Sequence, residues 1–265
     1  MDTAATAGRT VLTGADGTPV MSYLDRSRPG MPMAADARAH GPGAARAALE
    51  RLAGWTVTAA DGLAGELLAG GAQEVRRARE MRRDLADDPP PEGWADEEPG
   101  PGLRLAALGS GGDGLGELFS AFLAAFPQDH PDRRPERSEA DEFALLAALV
   151  GGRALGPVMD LSGLVVDDDG GRGGTGGVRV GAALVVNDRP DEVPWIGEVF
   201  RRPDRRYAGL GGLLLRRALG RAAERGLPEV GLAVTEGNPA VRSYERLGFR
   251  TAGVYSTVRL PATAL

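Results

Sequence analysis

The sequence contains no cysteine and no lysine, so all 31 of its basic side chains are arginines. Without cysteine the chain has no disulfide, no thiolate metal ligand and no cysteine nucleophile. Without lysine it has no Walker phosphate loop, because that loop requires a lysine. The only histidines are His40 and His130, which excludes a histidine-rich metal centre and predicts a site without metal.

Long apolar runs and excess positive charge are also absent. No stretch reaches the roughly 18 apolar residues of a membrane span, and no basic segment followed by an apolar one begins the chain. We therefore expect a cytoplasmic protein with no membrane partner. The net charge of −6 argues against nucleic acid held by bulk electrostatics, so no nucleic-acid partner is expected.

One break in composition divides the chain. Residues 86–102 combine three consecutive prolines with acidic residues and Gly-Pro steps, a pattern typical of an extended, exposed linker. The break predicts an N-terminal accessory segment, residues 1–85, and a main domain, residues 103–265. Residues 1–40 are rich in Gly, Ala, Asp and Pro, which predicts partial disorder. The accessory segment is poor in large apolar residues, so an independent core is not expected there.

The main domain shows clear periodicity. Its apolar spacing predicts the order β-α-α-β-β-β-α-β-α-β, hence an α/β mixed sheet with helices on both faces. Ser138 and Asp141 predict a capping box at the start of the second helix. Three consecutive aspartates, Asp167, Asp168 and Asp169, precede a glycine-rich stretch. They lack the spaced ligands of a calcium loop, which favours a solvated loop.

A glycine-containing turn lies between a predicted strand at residues 195–200 and a predicted helix at 209–225. It runs from Arg206 to Gly211. Such a turn leaves backbone N–H groups at the helix N-terminus, where they bind phosphate. Gly209 and Gly211 allow close backbone approach. Taken alone, the same turn is equally typical of an ordinary strand-to-helix connection.

A second motif follows a helix and a strand later. It begins with Asn238 and Pro239, which predict the N-cap and first residue of a short helix, and it continues through Tyr244 to Gly248-Phe249. With both motifs in this order, residues 103–260 resemble the GCN5-related N-acetyltransferase (GNAT) superfamily.

The resemblance implies the GNAT acyl-CoA N-acyltransferase fold, in which two parallel strands splay around the pantetheine arm of acetyl-CoA. Those strands are predicted at residues 195–200 and 229–235. The backbone of Val199, Phe200 and Arg201 would pair with the pantetheine, and Asn238 would contact it. The pyrophosphate would lie on the amides of Arg206, Tyr207, Ala208, Gly209, Leu210 and Gly211. Tyr207 stands where the family often has glycine, which predicts a shifted loop.

The resemblance also implies two catalytic roles. Glu198 matches the glutamate that deprotonates the amine, directly or through water, and Tyr244 matches the tyrosine that protonates the thiolate. Glu198 is alternatively a solvated residue on an alternating strand, and Tyr244 a packed aromatic. Burial of Glu198 would raise its pKa toward the useful range. His130 lies where the family places acceptor residues, or else on a surface loop, and His40 is expected at the surface.

We therefore expect an acetyl-CoA-dependent N-acetyltransferase that acts on a primary amine by direct attack in a ternary complex. The acceptor would be a small-molecule amine or a peptide amine, and the protein a monomer or homodimer. Two alternatives are a protein or peptide N-acetyltransferase and an acyl-CoA-binding pseudoenzyme with a regulatory role. A longer acyl donor also stays open. The accessory segment is interpreted as a partial GNAT-like repeat, or as unrelated.

Overall fold

The computed structural model describes residues 8–27, 30–108, 114–134, 137–168, 179–189 and 193–262. In chain order its elements are β1 (Thr10–Thr13), β2 (Pro19–Asp25), β3 (Met33–Ala39), α1 (Ala44–Arg51), β4 (Thr56–Ala60), α2 (Asp61–Ala69), β5 (Gln73–Asp84), β6 (Leu103–Ala106), α3 (Leu115–Ala125), α4 (Glu139–Val150), β7 (Gly163–Asp167), β8 (Arg179–Asn187), β9 (Trp195–Arg201), α5 (Leu210–Glu224), β10 (Glu229–Thr235), α6 (Val241–Arg246) and β11 (Arg250–Arg259).

The chain folds into two compact units. Unit 1 comprises Met1–Glu80 with Thr251–Leu265, and unit 2 comprises Met81–Arg250. The division therefore falls inside β5 and again at the start of β11, whereas composition placed it at residues 86–102. Composition misses these points because a strand that passes from one unit to the other carries no Pro- or Gly-rich signal.

Unit 1 is a sheet in the order β1-β2-β3-β4-β11-β5, covered by α1 and α2. Contrary to the expected disorder, residues 8–27 and 30–40 contribute β1, β2 and β3. The unit has a core of its own, in which nine of the buried residues are alanines: Ala34, Ala37, Ala44, Ala45, Ala47, Ala48, Ala59, Ala64 and Ala72. Small side chains let helix and sheet approach closely, so a segment poor in large apolar residues still packs densely.

Unit 2 contains the sheet order β5-β10-β9-β8-β7-β6. Strands β6 to β9 pair antiparallel, and β9 pairs with β10 in parallel. Helix α5 packs with Ala182 and Leu184 on one face, and α3 and α4 pack with Val180 and Ala183 on the other. The predicted element order and the mixed sheet with helices on both faces are confirmed.

The acidic, proline-rich stretch folds against α5 instead of running extended. Trp94–Asp96 form a short 3-10 turn in which Ala95 is buried. A Cβ at Gly220 of α5 would lie 2.5 Å from the Ala95 nitrogen, so the glycine permits this backbone contact. Glu97 then accepts two hydrogen bonds from the Arg216 guanidinium, at 2.6 and 2.7 Å.

Candidate functional site

The two parallel strands of unit 2 separate along their length. Their paired residues are Trp195 with Gly231 and Ile196 with Leu232. Among the described residues β9 and β10 have no further paired positions, although β9 runs to Arg201 and β10 to Thr235. Because β9 keeps its pairing with β8 through Arg201, only its β10-facing edge is open. Backbone groups on that edge can accept an extended ligand as an added strand.

The glycine turn lies at the open end of this gap. A short 3-10 turn at Arg205–Tyr207 precedes Gly209, whose φ of +82° favours glycine. In the part of the chain that the structure describes, the N–H groups of Gly209, Leu210, Gly211 and Gly212 donate to no acceptor. Four free donors and the positive end of the α5 dipole form a site suited to a phosphate.

The surface of the turn is open as well. A Cβ at Gly209 would meet nothing within 4 Å, and one at Gly211 would meet only the Val199 Cγ2 atom at 3.8 Å. The protein's own packing therefore gives no reason for glycine at position 211. A ligand lying against the turn would give one.

Tyr207 points into unit 2 and not into the turn. It is buried, its hydroxyl donates to Asp167 at 3.0 Å, and its ring occupies the space beside Gly181. Burial, followed by the bond to Asp167, raises the pKa of Tyr207. The ring therefore lies outside the turn itself, because the sheet has room for it where residue 181 lacks a Cβ.

Asp167 also holds Arg206, whose Nε lies 2.7 Å from its Oδ2 atom. Sequence reasoning assigned Asp167 to a solvated loop, but it is the last residue of β7 and is buried. Its neighbour Asp168 pairs with Arg104 at the surface, and Asp169 lies outside the described residues. The one sequence signal for the burial of Asp167 is that it directly follows the apolar strand residues 163–166.

Tyr244 lies half-buried on α6, with its ring 5.9 Å from that of Phe249 in an edge-to-face arrangement. Its hydroxyl makes no hydrogen bond within the described residues. Burial raises the pKa of Tyr244, and the negative charges of Glu198 and Asp132 add to the effect. The phenol is therefore protonated at neutral pH, and the two carboxylates are near enough to act on it.

Glu198 lies on β9 opposite Val185, just after a bulge in the β8–β9 pairing. Alternation along the strand places it on the same face as Phe200, which packs against Phe122 of α3 and against Phe126, just after that helix. Glu198 is half-buried. The structure therefore places Glu198 on the α3 side of the sheet, in the electrostatic neighbourhood of Tyr244.

Asn238 is buried, and its side chain is engaged at both ends. Its Oδ1 accepts the N–H of Ala240 at 2.8 Å and its Nδ2 donates to Asp132 at 2.5 Å. The predicted N-cap was wrong: α6 begins at Val241 and its N-cap is Ala240, so Asn238 forms an Asx turn ahead of the helix. Sequence reasoning missed Asp132, because no local pattern links it to Asn238.

The two histidines differ in surroundings. His130 is half-buried beside Asp132, with its ring 4.9 Å from Phe126 and its Nδ1 accepting the Asp132 N–H at 3.2 Å. His40 is exposed in unit 1, where its Nε2 lies 2.8 Å from the Ser22 hydroxyl. The described residues contain no group of three His, Asp or Glu side chains placed to hold a metal ion. None of their helices is long and apolar enough to cross a membrane.

The sequence profile of the Acetyltransferase (GNAT) family matches residues 115–249, just over half of the chain. The chain belongs to the GNAT acetyltransferase family. Its members are N-acetyltransferases, and membership implies an acyl-CoA donor and an amine acceptor. A search of curated proteins found no match.

Several solved GNAT structures share the fold. A GCN5-related N-acetyltransferase from Sphaerobacter thermophilus has 21% identity and a TM-score of 0.61, over 96% of this chain and 82% of that one. A tandem GNAT protein from the clavulanic acid biosynthesis pathway has 16% identity and a TM-score of 0.59, over 94% and 81%. A GCN5-related N-acetyltransferase from Kribbella flavida has 17% identity and a TM-score of 0.55, over 97% and 90%. At these identities the likeness concerns the fold alone.

Proposed function

We propose that this GNAT protein transfers an acetyl group from acetyl-CoA to a primary amine by direct attack in a ternary complex. The observation that carries the proposal is the run of four free N–H groups, Gly209 to Gly212, at the open end of the gap between β9 and β10. A pyrophosphate fits those donors, and an extended pantetheine arm fits the unpaired edge of β9.

In this proposal the donor lies along the backbone of Val199, Phe200 and Arg201. Its pyrophosphate lies on the backbone amides of the turn, which are those of Arg206, Tyr207, Ala208, Gly209, Leu210 and Gly211. The Arg206 guanidinium is already paired with Asp167, so its contribution is the backbone and not the side chain. Asn238, whose second Nδ2 proton has no acceptor among the described contacts, donates to the pantetheine.

The transfer needs three proton movements. Glu198 accepts a proton from the ammonium form of the acceptor, directly or through a water molecule, and the neutral amine attacks the thioester carbonyl. The carbon–sulfur bond breaks as Tyr244 donates its proton to the departing thiolate, and the nitrogen gives its second proton to the resulting phenolate, directly or through water, which leaves a neutral amide. Holding both reactants in one cleft supplies much of the rate, and each positioned proton transfer adds about 10²-fold or more.

Unit 1 is proposed to be a GNAT-like repeat that has no donor site. Its order β3-α1-β4-α2-β5 is the same as the order β9-α5-β10-α6-β11 found later in the chain. Its parallel strands, however, pair on both sides of an irregularity in register, at Met33 with Thr56 and Ala34 with Val57 and again at Ala37 with Ala59. Strands that pair again in this way leave no long unpaired edge for a pantetheine arm.

The test is calorimetric titration with acetyl-CoA, followed by thiol release over a panel of primary amines and peptides. Gly211→Arg fills the open face of the turn without a clash inside the protein, and we expect it to abolish binding. Gly62→Arg, at an open position on α2, is the matched control. Binding with no turnover on any amine would favour the pseudoenzyme, and no binding by the wild-type protein would refute the proposal.

A further inference from the structure

A carboxylate from the loop after α3 reaches across to the end of β10. One oxygen of Asp132 accepts the hydroxyl proton of Thr235, the last residue of β10, and the other accepts the Nδ2 proton of Asn238 at 2.5 Å. These partners lie 103 and 106 residues further along the chain. Asp132 thus joins the α3–α4 loop to the turn that precedes α6.

The contact decides how the Asn238 amide is oriented. A carboxylate only accepts hydrogen bonds and the Ala240 N–H only donates, so Nδ2 must face Asp132 and Oδ1 must face Ala240. The remaining Nδ2 proton is then fixed in direction as a donor. Hydrogen bonds to an ionised carboxylate are about twice as strong as neutral ones, so the orientation is firmly held.

The loop that carries Asp132 is held at its other side too. The His130 ring packs edge-on against Phe126, and its Nδ1 accepts the Asp132 N–H. Phe126 in turn contacts Phe200 of β9, on the face that Glu198 shares. These contacts connect the loop that carries Asp132, through Phe126, to Phe200 of β9, the strand that also carries Glu198.

We propose that Asp132 is a positioning residue for acetyl transfer, which acts by holding the Asn238 amide with one N–H directed at the pantetheine arm. This inference rests on the proposed function, since it assumes that acetyl-CoA occupies the gap beside β9. Asp132 itself makes no contact with the reacting atoms in this role. Its effect on the binding of acetyl-CoA should pass through Asn238.

The test is a double-mutant cycle on the Kd of acetyl-CoA, measured by calorimetry in the full-length protein. Asp132→Ala is expected to raise the Kd about fivefold in the wild-type background. In an Asn238→Ala background the same substitution should change the Kd less than about twofold. Asp132→Asn, which keeps one acceptor oxygen, should fall between the wild type and Asp132→Ala. Asp129→Ala, an exposed change in the same loop, is the control and should leave the Kd unchanged.

Equal effects of Asp132→Ala in both backgrounds would overturn the inference, because a general loosening of the loop does not depend on Asn238. No effect in the wild-type background would overturn it as well. Circular dichroism melts identify a variant that fails to fold, and Asp132→Asn then carries the same comparison. If the wild-type protein binds no acetyl-CoA, the proposed function fails and this inference fails with it. Binding with additive effects refutes the inference alone.

Discussion

Tyr244 carries its proton into a pH range where most tyrosines begin to ionise. Burial raises its pKa above the ordinary value near 10, and Glu198 and Asp132 oppose a further negative charge beside them. A general acid must be protonated to act. The raised pKa therefore keeps Tyr244 competent wherever a thiolate, with an ordinary pKa of about 8.5, is to be protonated.

Replacing Tyr244 by phenylalanine removes the proposed proton donor and keeps the ring that packs on Phe249. We expect kcat to fall about 10²-fold, with the Kd of acetyl-CoA within about twofold of the wild-type value. Steady-state kinetics and calorimetry measure the two quantities, and Tyr255→Phe in unit 1 serves as control. An unchanged kcat would mean that the tyrosine only packs.

The pH dependence of kcat tests the same residue in the wild-type enzyme. Because the pKa of Tyr244 is raised, its protonated form persists through about pH 10. With both substrates saturating, kcat should therefore show no descending limb below about pH 10. A decline between about pH 8 and 10 that disappears in Tyr244→Phe would contradict the raised pKa.

At the scale of elements, the end of β7 holds the start of the glycine turn that precedes α5. Asp167 is buried there between the Tyr207 hydroxyl and the Arg206 guanidinium. Removing the carboxylate leaves a buried phenol without an acceptor, which costs about 1–3 kcal/mol. Arg206 is half-exposed and regains water, so it adds little.

Asp167→Ala is accordingly expected to lower the free energy of unfolding by about 2 kcal/mol. Asp168→Ala is the matched control one residue later, since its pair with Arg104 is exposed on both sides. It should leave the free energy of unfolding nearly unchanged, because exposed ion pairs contribute little. Urea denaturation measures both, and equal losses would show that the bonds to Asp167 contribute nothing beyond a surface pair.

Elements defined by local contacts could be predicted from the sequence. The capping box of Ser138 and Asp141 is present as expected, because both partners lie within one helical turn. The stretch from Val75 to Leu85 could not be assigned, because its alternating arginines suit a helix face or a strand. All of it except Leu85 belongs to β5. Whether such a segment forms a helix or a strand depends on its pairing with strands distant in sequence, which no local pattern indicates.

The candidate site divides in the same way. Gly209, Gly211 and Tyr244 were found because short motifs contain them. Asp132 and Asp167 were missed because their partners lie 106 and 40 residues away. A carboxylate in an exposed-looking sequence gives no sign of such a contact until the fold forms it.

At the scale of the whole molecule, the two units differ in the pairing of their parallel strands. The strands β9 and β10 pair only at Trp195 and Ile196 among the described residues, whereas β3 and β4 pair at Met33 and Ala34 and again at Ala37. Calorimetric titration should therefore give about one acetyl-CoA per chain, because strand addition needs an unpaired edge. Pro42→Arg, in the turn before α1, should leave the titration unchanged, while Gly211→Arg abolishes it. A stoichiometry near two would contradict the proposal for unit 1.

The amino-acid composition gave a wrong expectation for the core of unit 1. Large apolar residues are few there, which led us to expect no independent core. The structure buries alanines such as Ala34, Ala48 and Ala59 completely. Composition does not reveal such a core, since alanine is also a strong helix former that suits exposed helix positions.

The pairing of β11 with β4 means that the sheet of unit 1 is completed late in synthesis. β11 pairs with β4 in unit 1, where the hydroxyls of Thr58 and Thr257 meet across 199 residues of sequence. A ribosome delivers β4 early and β11 late, and at roughly 5–20 residues per second the interval is about 10 s or more. During that interval the edge of β4 that pairs with β11 in the folded protein has no partner strand. The nascent chain therefore has an open strand edge to protect, and we expect unit 1 to reach its final stability only after β11 leaves the ribosome.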